Sequence, residues 1–194
     1  YKVLVNVPIA IASAVAASSV PSLSSAYTSK DMREVRRKVG YSIRFVMVIA
    51  IPCAVGMAVL ASPILQLLFH DDREMPERMM QIGAVSIIFY SLSTLSNGIL
   101  QGINRMNVPV RNAIITLVLH MGVLVALMYG LDMNIYAVVW ANTFFSFLMC
   151  ILNGRAIRKQ LRYRQEIPRT FIVPCICAAA MGGAVYGIYY LLMK

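Results

Sequence analysis

Ser86, Tyr90, Ser93, Asn97 and Gln101 recur at intervals of four, three, four and four residues. At 3.6 residues per turn that spacing draws one polar stripe down the side of a helix, broadened by Thr94. Amides and hydroxyls can bind sugars or hold neighbouring helices, so the stripe either packs on a partner helix or lines a water-filled cavity. Around it there is little else that could do chemistry. Neither a Ser-His-Asp or Cys-His set, nor a carboxylate pair, nor a glycine-rich phosphate loop occurs in the apolar stretches, so an enzyme is not expected. Cys53, Cys150, Cys175 and Cys177 lie inside apolar runs, and Cys175-Ile-Cys177 lacks the two-residue gap of common zinc motifs. His70 and His120 are far apart in sequence. No metal site and no cofactor are expected.

The elements that carry these residues are membrane helices. Hydrophobic residues make up 59% of the 194, charged residues 13%, and the mean hydropathy is +0.71. A soluble domain is nearer a quarter charged, and one small core could not hide runs this long. A bilayer core about 30 Å thick needs about 20 apolar residues of helix. Six segments qualify: 3–27, 41–69, 81–103, 112–131, 134–154 and 170–193. Their continuous rather than alternating hydrophobicity excludes barrel strands. The expected fold class is therefore all-α, a polytopic bundle of six transmembrane helices forming a single membrane domain over 1–194.

The formal net charge of +10 comes from cations in the connectors, without the basic–aromatic interleaving of a nucleic-acid surface, and no nucleic-acid partner is expected. Cytoplasmic loops collect Lys and Arg. The first, third and fifth connectors hold Lys30, Arg33, Arg36, Arg37, Lys38 and Arg44, then Arg105 and Arg111, then Arg155, Arg158, Lys159, Arg162, Arg164 and Arg169. The second and fourth hold only Arg73 and Arg78. The former loops are placed in the cytoplasm, so the first helix enters from outside. Ser29–Lys38 and Arg155–Arg169 are expected to form short amphipathic or irregular links.

Helix breakers and small residues add detail. Pro8 follows Asn6 in the first helix, and Pro52 and Pro63 flank Gly56 in the second; all three prolines are hinge candidates. Ala10, Ala14 and Ser18 form one small-residue row suited to close contact, and Gly183 and Gly187 form a G-x-x-x-G pair whose default meaning is tight helix packing, within the bundle or on another subunit. His120 and Asn142 are isolated polar residues within spans, read as packing residues ahead of coupling-ion ligands.

Several patterns together look familiar. Ser19-Val-Pro-Ser-Leu-Ser-Ser-Ala-Tyr27 before a basic loop, Ile51-Pro-Cys-Ala-Val-Gly56 with Leu60-Ala-Ser-Pro-Ile-Leu-Gln-Leu-Leu-Phe69, and Gly98-Ile-Leu-Gln-Gly-Ile-Asn-Arg105 with Val108-Pro-Val-Arg-Asn112 occur here in order. The chain thereby resembles the polysaccharide and lipid-linked oligosaccharide exporters of the MOP superfamily, nearest the branches typified by stage V sporulation protein B and the lipid II flippases. The resemblance implies a two-lobed transporter of about 14 helices that moves undecaprenyl-linked saccharides across the bacterial cell membrane by alternating access, for envelope or spore-wall synthesis. Its implied partners are the lipid-linked substrate, membrane lipid, and N-terminal helices absent from this chain, which would supply helices eight to thirteen. Lipid II flippases carry a functional arginine a few residues before the proline corresponding to Pro8; here Val3 stands near that point, with Lys2 beside it. The expected substrate pathway comprises Lys2, Asn6, Ser86, Ser93, Asn97 and Gln101. A cation-coupled multidrug exporter of the same superfamily and a non-transporting scaffold for wall-synthesis enzymes are the alternatives.

Overall fold

The computed structural model describes residues 2–69, 74–130, 134–162 and 168–192, and among these there are helices and turns but no strand. The helices are α1 (Lys2–Thr28), α2 (Met32–Val59), α3 (Ala61–Phe69), α4 (Glu74–Gly102), α5 (Asn107–Gly130), α6 (Asn134–Leu161) and α7 (Val173–Leu192). A π-helical turn, Pro168–Ile172, leads into α7. Six of these helices are long and apolar enough to cross a membrane, α3 being the exception.

The centre of the bundle is α4, which packs on α1, α2 and α6, while α5 packs mainly on α6 and α7 on α2. Burial follows that order. In the most apolar window of α4 56% of residues are buried, against 11% for α5, whose surface is left for lipid. The main buried cluster joins Ala12, Ala16 and Leu23 of α1, Val39, Met47 and Ile51 of α2, and Leu95, Ile99 and Leu100 of α4.

The charged links are more helical than the sequence suggested. α1 ends in a Schellman turn, with the Lys30 N–H bonded to the Tyr27 carbonyl and that of Asp31 to the Ala26 carbonyl. Lys30 takes the left-handed conformation, φ 59°. Asp31 then caps α2 by accepting from the Glu34 N–H at 3.0 Å. The helix therefore runs from Met32, nine residues before the apolar segment that revealed it. The α4–α5 turn repeats the device: Asn104, φ 57°, bonds to Gln101, and Arg105 bonds to Leu100. At the far end of α6, helix continues through Arg155 and Lys159 to Leu161, whose carbonyl accepts from Arg36 Nε at 2.8 Å. That bond ties the basic ends of α2 and α6 together.

The expected second span is in fact two helices. Pro63 cannot donate to the Val59 carbonyl and its ring would strike that group, so α2 stops at Val59 and α3 restarts at Ala61. Leu60 lies between, at φ −97° and ψ 20°. Pro8 and Pro52 lie inside unbroken helices.

Candidate functional site

Winding at about 100° per residue, the α4 stripe is wider than one contact. Its two edges meet different surroundings. On one edge, Asn97 Oδ1 accepts from Asn153 Nδ2 of α6 at 2.7 Å, and Asn153 Oδ1 accepts from Asn112 Nδ2 of α5 at 2.9 Å. Three amides thus pin α4, α6 and α5 in series, with Asn153 and Asn112 buried. Ser93 is buried beside this edge, and Phe89 meets Phe147 of α6 edge-on at 5.1 Å. Asn112 and Asn153 are members of this chain that the sequence reading missed. The signal was an isolated Asn near one end of each of two helices, and no spacing rule within one helix connects them.

On the other edge, Ser86, Tyr90 and Thr94 face a recess of about 460 Å³, walled by Val5, Asn6 and Ile9 of α1 and by Asn142 of α6. α1 and α6 pack on either side of α4, which leaves this polar strip as the floor of a groove. Ser86 donates to the Gly83 carbonyl. Asn6 is exposed on the α1 wall. The groove therefore gathers Asn6 and Ser86 from the expected pathway and adds Tyr90, Thr94 and Asn142.

The remaining pathway residues lie elsewhere. Gln101 opens onto a separate recess of about 800 Å³ at the other end of α4, where Tyr27, Thr28 and Lys30 of the α1 end face Asn104 of the α4–α5 turn. Lys2 is the first residue of α1, and its side chain lies outside the described residues. His120 clips α5 to α6: its Nδ1 lies 3.0 Å from the Ala141 carbonyl oxygen, and its ring meets Phe145 edge-on at 5.6 Å. A carbonyl only accepts, so Nδ1 carries the hydrogen.

A Cβ on Gly183 or Gly187 would meet nothing within 4 Å among the described residues, so within this chain the pair does not mark a close helix approach, and packing on another subunit is the use it retains. The face that α7 turns to α2 is one residue away, through Ala178 and Gly182, where a Cβ would come 2.8 Å from Val55 Cγ1. Another G-x-x-x-G pair sets the approach of α1 to α4. A Cβ on Gly98 would lie 2.8 Å from Ala16 Cβ, and one on Gly102 would lie 3.0 Å from Leu23 Cβ. Accordingly α1 presents Ala12 and Ala16 to α4, and Ala10, Ala14 and Ser18 face outward.

Comparison with known proteins decides the relationship. A family model for the lipid II flippase MurJ matches residues 2–194. The chain belongs to the MurJ family. It is also 24% identical over 221 aligned positions to the lipid II flippase MurJ of Bacillus subtilis (strain 168), covering 94% of this chain and 40% of that protein. The chain thus spans well under half the length of this curated relative. MurJ-family membership and six apolar spans make it a multi-pass protein of the bacterial cell membrane, within the MOP superfamily that the motifs around Pro52, Pro63 and Gly98 suggested.

Proposed function

We propose that this chain is part of a flippase that carries an undecaprenyl-linked saccharide precursor of cell-wall synthesis from the cytoplasmic to the outer leaflet. The observation that carries the reading is the groove on α4, where Asn6, Ser86, Tyr90, Thr94 and Asn142 collect polar groups within otherwise apolar spans. Saccharide hydroxyls both donate and accept, so amides and hydroxyls can replace their water. Among the described residues no carboxylate lines the groove. That favours a saccharide over the ion-coupled drug exporter, in which an intramembrane acid would bind the driving cation.

In this reading the chain supplies helices eight to thirteen of a two-lobed transporter, and the N-terminal lobe closes the groove into a cavity. The diphosphate of the substrate needs cations, which are costly in the bilayer unless solvated or paired. Lys2, at the start of α1, is the candidate this chain offers. Alternating access would use the interruption at Leu60, since Pro63 has no N–H to return to the Val59 carbonyl and the restoring hydrogen bond is missing at that point.

The test is reconstitution of the intact protein with a fluorescent lipid-linked oligosaccharide. Protein-dependent appearance of the probe in the opposite leaflet is expected, and none would refute the proposal. The double substitution Thr94→Leu with Asn142→Leu should lower the rate on the order of tenfold, equivalent to two lost hydrogen bonds, while membrane insertion stays unchanged.

A further inference from the structure

We propose that the cytoplasmic ends of α5 and α6 form a binding site for the headgroup of an anionic phospholipid of the inner leaflet. A recess of about 310 Å³ lies between them, lined by Arg111 of α5 and by Arg155 and Lys159 of α6, with Leu152 and Asn112 among its walls. Among the described residues, three cations converge there without a carboxylate in the lining. Among the described residues, the acids on the neighbouring α1–α2 side are engaged elsewhere: Asp31 caps α2, and Glu34 lies 3.7 Å from Arg37 and 3.3 Å from Lys38.

Arg155 and Lys159 are four apart on one helix, a like-charge spacing that is unfavourable unless an anion sits between the heads. Topology alone asks for cations near the cytoplasmic helix ends but not for their convergence on one recess. Arg158, between them in sequence, is outside the lining.

The position selects a lipid rather than a soluble anion. α5 is the helix most open to the bilayer, and Ile114, Val118 and Met121 beyond the recess are 60%, 67% and 54% exposed. A phosphate held by Arg111, Arg155 and Lys159 therefore has an apolar surface beside it on which its acyl chains can lie. Arginine forks suit a phosphodiester, and basic pockets between helices at the cytoplasmic face are suited to anionic headgroups. Asn112 in the lining also belongs to the amide chain that reaches Asn97, so a bound headgroup braces the end of that chain.

The inference does not depend on flipping, because binding is read without transport. The intact protein, stripped of lipid, is titrated with phosphatidylglycerol or phosphatidylcholine and bound lipid is counted by native mass spectrometry. Phosphatidylglycerol should bind preferentially. Each neutralised cation should weaken it about fivefold, so Arg111→Gln, Arg155→Gln and Lys159→Gln together should cost on the order of a hundredfold. The control Lys30→Gln, Arg33→Gln and Arg37→Gln, which removes equal charge from the α1–α2 turn and the start of α2, should change binding by less than about threefold. Arg155→Gln alone provides the same reading should the triple variant fold poorly. Equal affinity for both lipids, equal loss in the control, or undiminished binding by the α5–α6 variants would overturn the proposal.

Discussion

Replacing Gly98 with leucine is expected to separate α1 from α4 and to cause the largest loss of stability of any single substitution in the bundle. Even alanine would place a Cβ 2.8 Å from Ala16 Cβ and 3.2 Å from the Ala16 Cα and carbonyl oxygen. Two of those atoms are backbone, so relief requires α1 as a whole to move. A gain of about 1 kcal/mol in helix propensity is then outweighed by overpacking, for a net loss of about 1–3 kcal/mol with alanine and more with leucine. Gly183→Ala is the matched contrast. With nothing within 4 Å, it should be neutral or slightly stabilising. Thermal unfolding of the intact protein in detergent compares the two, and an equal loss at Gly183 would show that glycine is needed for something other than the α1–α4 approach. Since α1 forms one wall of the polar groove, Gly98→Leu should abolish transport as well.

The second large effect belongs to Asn153. Leucine there removes both hydrogen bonds of the central amide and leaves Asn97 and Asn112 without their partners. Hydrogen bonds between membrane helices contribute about 0.6–2 kcal/mol each, so a total loss of about 1–3 kcal/mol is expected. Coupling is the more specific signature. Asn97→Leu and Asn153→Leu should together cost less than the sum of the single changes, by about 1 kcal/mol, because the second change breaks a bond already lost. Strict additivity would mean that the amides do not act as a chain. Asn97→Leu is expected to lower transport by loosening the packing between α4 and α6, whereas Thr94→Leu is expected to lower it at the groove with packing intact.

The contrast between Asn97 and Thr94 also shows what was legible in the chain. That one face of α4 is polar follows from spacing alone, since neither side of an interface between helices needs to be known. Which part of that face packs and which part stays open depends on the rotation of α1 and α6 about their own axes. Small residues carry the same ambiguity. Gly98–Gly102, Ala178–Gly182 and Gly183–Gly187 all have the four-residue spacing, and only the partner's position separates the pairs in contact from the open one. The six spans were legible because length and apolarity decide them independently of packing. Helix ends were not, because hydropathy sees only the buried-in-lipid part of a helix. Asp31 followed by Glu34 was the available signal for the early start of α2, a cap residue with an acid in the first turn. Pro63 was likewise readable as a breaker, and its effect falls one turn earlier, at Leu60, because the ring obstructs the carbonyl four residues back.

The most direct measurement places a photo-crosslinking amino acid at Thr94 in the intact, membrane-embedded protein and exposes it to a radiolabelled lipid-linked saccharide. Label should appear at Thr94 and saturate with substrate, compete with unlabelled precursor, and be absent from the same probe at Val118, which is 67% exposed on the lipid side of α5. Equal, unsaturable labelling at both positions, or none at Thr94, would contradict the assignment of the α4 groove to the substrate pathway.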